Sequence, residues 1–187
     1  MWPILAIILA ISRAGGSLVG EIEKGTMGLY LALPISRVKL FLTKCAGGLT
    51  SALIFVVATV LAIIPMALLC GQSVNALIVL KLAFFSFLFM WVIFAVTACL
   101  SVIFSERSKV YMTIGGVLLA MYAANIVASL KTNLSWLHKV SIFYYYSPQD
   151  VLTKGHLNLA YVFLFLAAIG LSTLLGALIF DRRDISV

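Results

Sequence analysis

Acid–base, nucleophilic or metal chemistry in this chain would have to come from six carboxylates, two histidines and three cysteines. Cys45, Cys70 and Cys99 each stand alone in or beside an apolar run. No pair has metal-ligand or redox spacing, so they read as small hydrophobic residues. His138 and His156 are distant in sequence from the cysteines and from each other, and no metal site is expected. The remaining polar chemistry gathers in one run, from Gly20 to Arg37, where charges, glycines and a proline sit between apolar segments. Such a run suits the presentation of a surface to a partner.

Within it, Glu21, Glu23 and Lys24 end the preceding segment in polar residues, and Gly25 can break the helix in a left-handed cap. Thr26 is an acceptable N-cap for the stretch Met27, Leu29, Tyr30, Leu31 and Leu33. Pro34 stops helical continuation and biases Leu33 away from helical geometry. The spacing predicts a helix of roughly two turns. Ser36 offers a cap for a long helix starting near Arg37. Two readings fit this layout. The short helix can rest on lipid headgroups, with Arg37, Lys39 and Lys44 as anchors. It can also form a rigid knob that fits a cleft in a soluble partner and passes movement to the flanking helices.

The elements that position this run are apolar. Of the 187 residues, 64% are hydrophobic and 10% charged, against about 45–50% and roughly 25% in soluble domains. Polar groups are too few to cover the surface, so lipid is the expected solvent. The net charge of +7 is spread singly or in pairs at the ends of apolar runs, the pattern that fixes membrane topology. A nucleic-acid partner would need a clustered basic face and is not expected.

A helical crossing needs about 20 apolar residues. Spanning helices are expected over 41–69, 79–104, 109–130 and 157–180, with Pro65 near the far end of the first. The opening segment, 2–19, lacks the basic start of a signal peptide and is expected to be the tail of a further spanning helix. That gives about five crossings in one domain over 1–187.

Lys24, Arg37, Lys39, Lys44, Arg107, Lys109, Arg182 and Arg183 alternate onto one side, against Lys81, Lys131, Lys139 and Lys154 on the other. The richer side is expected to be cytoplasmic. The N-terminus then lies outside and the C-terminus inside, with loop 20–40 in the cytoplasm and loop 131–156 outside. The aromatic residues of that outer loop, Trp136 and Phe143 to Tyr146, favour an interface, with one or two short helices at the outer surface. Asn133 opens a glycosylation sequon with Ser135 on the permitted side, although chance sequons are common.

The four long runs contain no Asp, Glu or His, which disfavours a membrane-embedded enzyme and an internal proton relay. Arg13 and Lys81 lie near segment ends, where long side chains can snorkel. No phosphate-binding loop of the form G-x-x-x-x-G-K-[ST] occurs. Any nucleotide hydrolysis therefore belongs to another subunit.

In order and spacing these residues resemble the ABC transporter type-2 permeases. In that family an acidic stretch, a Gly-Thr pair, a leucine-rich short helix and Leu-Pro-x-Ser-Arg precede the third helix. Here they are Glu21 and Glu23, Gly25 and Thr26, Leu29 to Leu33, then Pro34, Ser36 and Arg37. The ending from Phe180 to Ile185 and the aromatic segment from Ser141 to Pro148 are also similar to the family's. The family's first helix and the loop after it have no counterpart, so the chain is expected to be a fragment, a late start or a shortened paralogue.

The resemblance implies an all-α polytopic permease subunit of an ATP-driven transporter, exporting a substrate across the cytoplasmic membrane. Two permease subunits would form the pathway. Separate ABC ATPase subunits would carry ATP and Mg, leaving this chain without a cofactor or catalysis of its own. It implies coupling or ATPase contact for Glu21, Glu23, Gly25, Thr26, Leu29, Leu31, Pro34, Ser36 and Arg37. Arg182, Arg183 and Asp184 would anchor the C-terminal helix. The alternatives are a non-transporting membrane scaffold or sensor component and a membrane-embedded enzyme.

Overall fold

A computed structural model describes residues 2–31, 35–69, 71, 75–130, 136 and 138–183. Regular structure among them is helical throughout: α1 (Trp2–Ser17), α2 (Val19–Glu23), α3 (Met27–Leu31), α4 (Arg37–Leu69), α5 (Ala76–Ile103), α6 (Arg107–Leu130), α7 (Ile142–Tyr145), α8 (Pro148–Lys154) and α9 (Leu159–Arg182). The chain is an all-α polytopic membrane protein. Its helices α4, α5, α6 and α9 are long and apolar enough to cross a bilayer, and α1 is a shorter apolar helix. Helices are the natural solution here, because lipid cannot satisfy backbone N–H and C=O groups and a helix satisfies them internally.

Polar side chains set the helix starts. The Asn75 side-chain oxygen accepts from the Leu77 N–H at 3.0 Å before α5, and Asn158 accepts likewise from Ala160 before α9 at 3.0 Å. α4 begins at Arg37, behind Ser36, whose carbonyl accepts from the Leu40 N–H at 3.0 Å. It continues through Pro65 to Leu69.

α5 is the axis of the bundle, packed against α1, α4, α8 and α9. Lipid tails are as apolar as leucine, so association depends on close packing rather than on hydrophobicity. On α1, Ala6, Ala10 and Ala14 are almost fully buried. Their four-residue spacing puts them on one helix face, and their small size lets the backbones approach. Gly48 of α4 faces the Phe94 ring of α5, and Gly176 of α9 receives the Phe41 ring of α4. A Cβ at position 176 would lie 2.6 Å from that ring.

At the end away from α3, described residues between α6 and α9 fold inward, with Ser141, Tyr146 and Val151 buried. The Phe89 and Tyr146 rings stack with centroids 4.2 Å apart, and Phe85 stacks on Phe165 at 5.5 Å. The Tyr146 hydroxyl bonds Ser86 at 2.8 Å. Trp2 joins this group and donates its indole N–H to Thr59 at 3.1 Å. Two short helices, α7 and α8, occur here, but Tyr146 and Val151 are buried in the core rather than spread along a surface. Aromatic rings that stack on α5 gain more contact than rings lying flat against headgroups.

Candidate functional site

The opposite end is built around the turn from α2 into α3. Gly25 takes a left-handed φ of 70°, the cap conformation its position calls for. The Gly25 N–H donates to the Ile22 carbonyl and the Thr26 N–H to the Glu21 carbonyl, both at 3.0 Å. This paired closure satisfies the last carbonyls of α2 and requires the left-handed residue between them. Thr26 directs its hydroxyl back to the Glu21 carboxylate and carbonyl rather than forward onto α3. The hydroxyl's hydrogen bond is the largest influence holding the Glu21 carboxyl below its ordinary range. The charges of Lys44 and Lys24 act in the same direction and burial opposes them.

Two further contacts tie the turn to distant helices. Lys44 of α4 pairs with Glu21 at 3.5 Å, and Arg107 at the start of α6 pairs with Glu23 at 3.1 Å. The Arg107 Nε–Glu23 contact is a charge pair only, since its N–H is not aligned for a hydrogen bond. The Arg107 Nη2 does donate well, to the Gly20 carbonyl at 3.0 Å. The glycine lets the guanidinium come this close: a Cβ at position 20 would stand 2.7 Å from the guanidinium carbon and displace it.

α3 itself is anchored on one side and open on the other. Met27 is buried with Leu18, Leu40, Phe41, Val102 and Phe180, where the ends of α1, α4, α5 and α9 meet. Leu29 is 74% exposed. The described backbone of α3 includes Leu31, while Pro34 lies outside the described residues.

Arg37 is not brought to the glutamates. It donates to the Arg183 carbonyl. Arg183 in turn donates to the Val102 carbonyl, to the Phe104 carbonyl at 3.3 Å and to the Ser105 hydroxyl at 2.6 Å. A cation over the C-terminal carbonyls of α5 also meets the negative end of the helix dipole. Arg182 is exposed, and Asp184 and Asn133 lie outside the described residues.

The sequence profile of the ABC-2 family transporter proteins matches residues 1–185. The chain belongs to that family. Among curated proteins no sequence matches it. As an ABC-2 family member it is a membrane permease component of an ABC transporter, a transport component rather than a catalyst. Membership in the family implies association with an ABC ATPase and with the membrane.

The family resemblance implies coupling or ATPase contact for Glu21, Glu23 and Arg37. The structure gives the two glutamates internal partners that were counted only as topology charges, Lys44 and Arg107. Arg107 lies 87 positions from Gly20, beyond any local pattern. The available signal was electrostatic: carboxylates beside lipid need cations, but several cations lie on the same side and the pattern does not say which of them pair.

Proposed function

We propose that the chain is the membrane subunit of an ATP-driven exporter, in which α3 engages a separate ATPase subunit on the cytoplasmic side. A second copy or a homologous subunit completes the pathway. ATP and Mg reside on the ATPase, and the N-terminus faces outward. The observation that carries this reading is the division of α3 into an anchored and a free side. Met27 is packed among four helix ends while Leu29 is exposed. A push on the exposed side is transmitted through Met27 to α1, α4, α5 and α9 together. The capped turn and the Glu21–Lys44 and Glu23–Arg107 pairs stiffen the lever.

The test separates contact from stiffness in a complex reconstituted with its ATPase. Leu29→Asp is expected to abolish ATPase co-purification while the chain still inserts and folds. Glu21→Ala with Arg37→Ala is expected to leave binding measurable but to reduce transport-linked ATP hydrolysis. Unchanged hydrolysis in both variants would remove the coupling role from this loop.

A further inference from the structure

We propose that a polar cleft between α1, α4 and α6 binds a phosphate-bearing anion, supplied by the headgroup of an acidic phospholipid. The cleft has a volume of about 580 Å³ and receives one cation from each helix, Arg13 of α1, Lys44 of α4 and Arg107 of α6. No carboxylate is among the described residues that line it. Glu21 and Glu23 stand behind Lys44 and Arg107 and offset part of their charge. Arg13 has no such partner: among the described residues it makes no hydrogen bond or ion pair.

Arg13 lies four residues before the end of α1 at Ser17, about 6 Å along the axis, and it is exposed at the mouth of the cleft, where an anion can reach it.

The hydroxyl groups of the cleft divide by role. Ser17, Thr43 and Ser51 donate to the carbonyls of Ala14, Lys39 and Gly47 in their own helices, so their protons are engaged. Ser12 and Tyr111 line the same cleft with hydroxyls unengaged among the described residues, available as donors. Three cations and two hydroxyls on three helices exceed what a planar carboxylate can accept. They suit a tetrahedral phosphate, whose oxygens accept from several directions. Gly16 and Gly47 leave open space where a Cβ would stand, which keeps the cleft wide enough for a headgroup. Basic pockets between membrane helices near an interface are where acidic headgroups settle. The site does not depend on the ATPase assignment.

Native mass spectrometry of the full chain, released from nanodiscs of phosphatidylcholine and phosphatidylglycerol, reads which lipid remains bound. The wild-type chain is expected to retain phosphatidylglycerol over phosphatidylcholine. Arg13→Gln should lose roughly five-fold of that preference, the effect of one basic residue facing an acidic lipid, and Arg13→Lys should keep it. Ser12→Asp retains Arg13 but places a carboxylate in the cleft, and it should lose the preference as well. Thermal midpoints in phosphatidylcholine alone establish that each variant is folded. Displacement of the lipid by inorganic phosphate would keep the anion site and overturn the lipid as its source. Equal retention by wild type, Arg13→Gln and Ser12→Asp would overturn the proposal.

Discussion

At the end of the bundle away from α3, Phe85, Phe89, Tyr146 and Phe165 interlock, stacked in two pairs and tilted between them, with the Tyr146 hydroxyl bonded to Ser86. At the α3 end a smaller apolar cluster around Met27, Phe41 and Phe180 is bordered by polar contacts: guanidinium to carbonyl, lysine to carboxylate and a capped turn. Closely packed rings lose dispersion contacts when one is removed and the space is left unfilled. Arginine–carbonyl and ion-pair contacts at an interface exchange with water at modest cost. One end therefore suits a fixed hinge and the other a part that shifts.

The comparison can be broken most directly at the stack. Phe89→Ala is expected to lower stability by about 3–5 kcal/mol, seen as a reduced thermal midpoint in detergent. Arg183→Ala should cost less, about 1.5 kcal/mol, because its acceptors at the end of α5 are partly reachable by water. Its effect should be local, with faster hydrogen exchange around Phe104 and Ser105 and no change near Tyr146. If Arg183→Ala equalled Phe89→Ala, the polar end would be as fixed as the aromatic one.

The smallest effect concerns Glu21. Its carboxyl is held below the ordinary value of 4.5, so its contribution is present above that pH and is lost as pH falls through the lowered value. Thr26→Val should move this midpoint upward, toward 4.5, in a carbon NMR titration of the Glu21 carboxyl. An unmoved midpoint would show that Lys44 and Lys24, not the hydroxyl, keep the turn charged.

Much of the fold was legible because its causes are local. Apolar runs of bilayer length announce helices, and Gly25 announces its own left-handed turn. The inward fold of Tyr146 and Val151 was not legible, because an aromatic residue near an interface looks the same whether it faces headgroups or a neighbouring helix. Within the candidate site, the glutamates, Gly25, Thr26 and Leu29 were visible as a run. Their partners were not, because Lys44 and Arg107 carry the same basic signature as any topology anchor.

The sequence by itself determined the solvent, the helical class and where polar residues interrupt the apolar runs, since each follows from composition and chain length. It did not determine which apolar helix is central. α4 and α5 are both apolar on every side, yet half of the most apolar window of α5 is buried and only 11% of that of α4. Hydropathy cannot separate them, because lipid and protein interior are equally apolar surroundings for a side chain. Only the tertiary structure decided it, through the fit of alanine and glycine faces against rings. The same structure brought Arg13, Lys44 and Arg107 from three helices around one cleft.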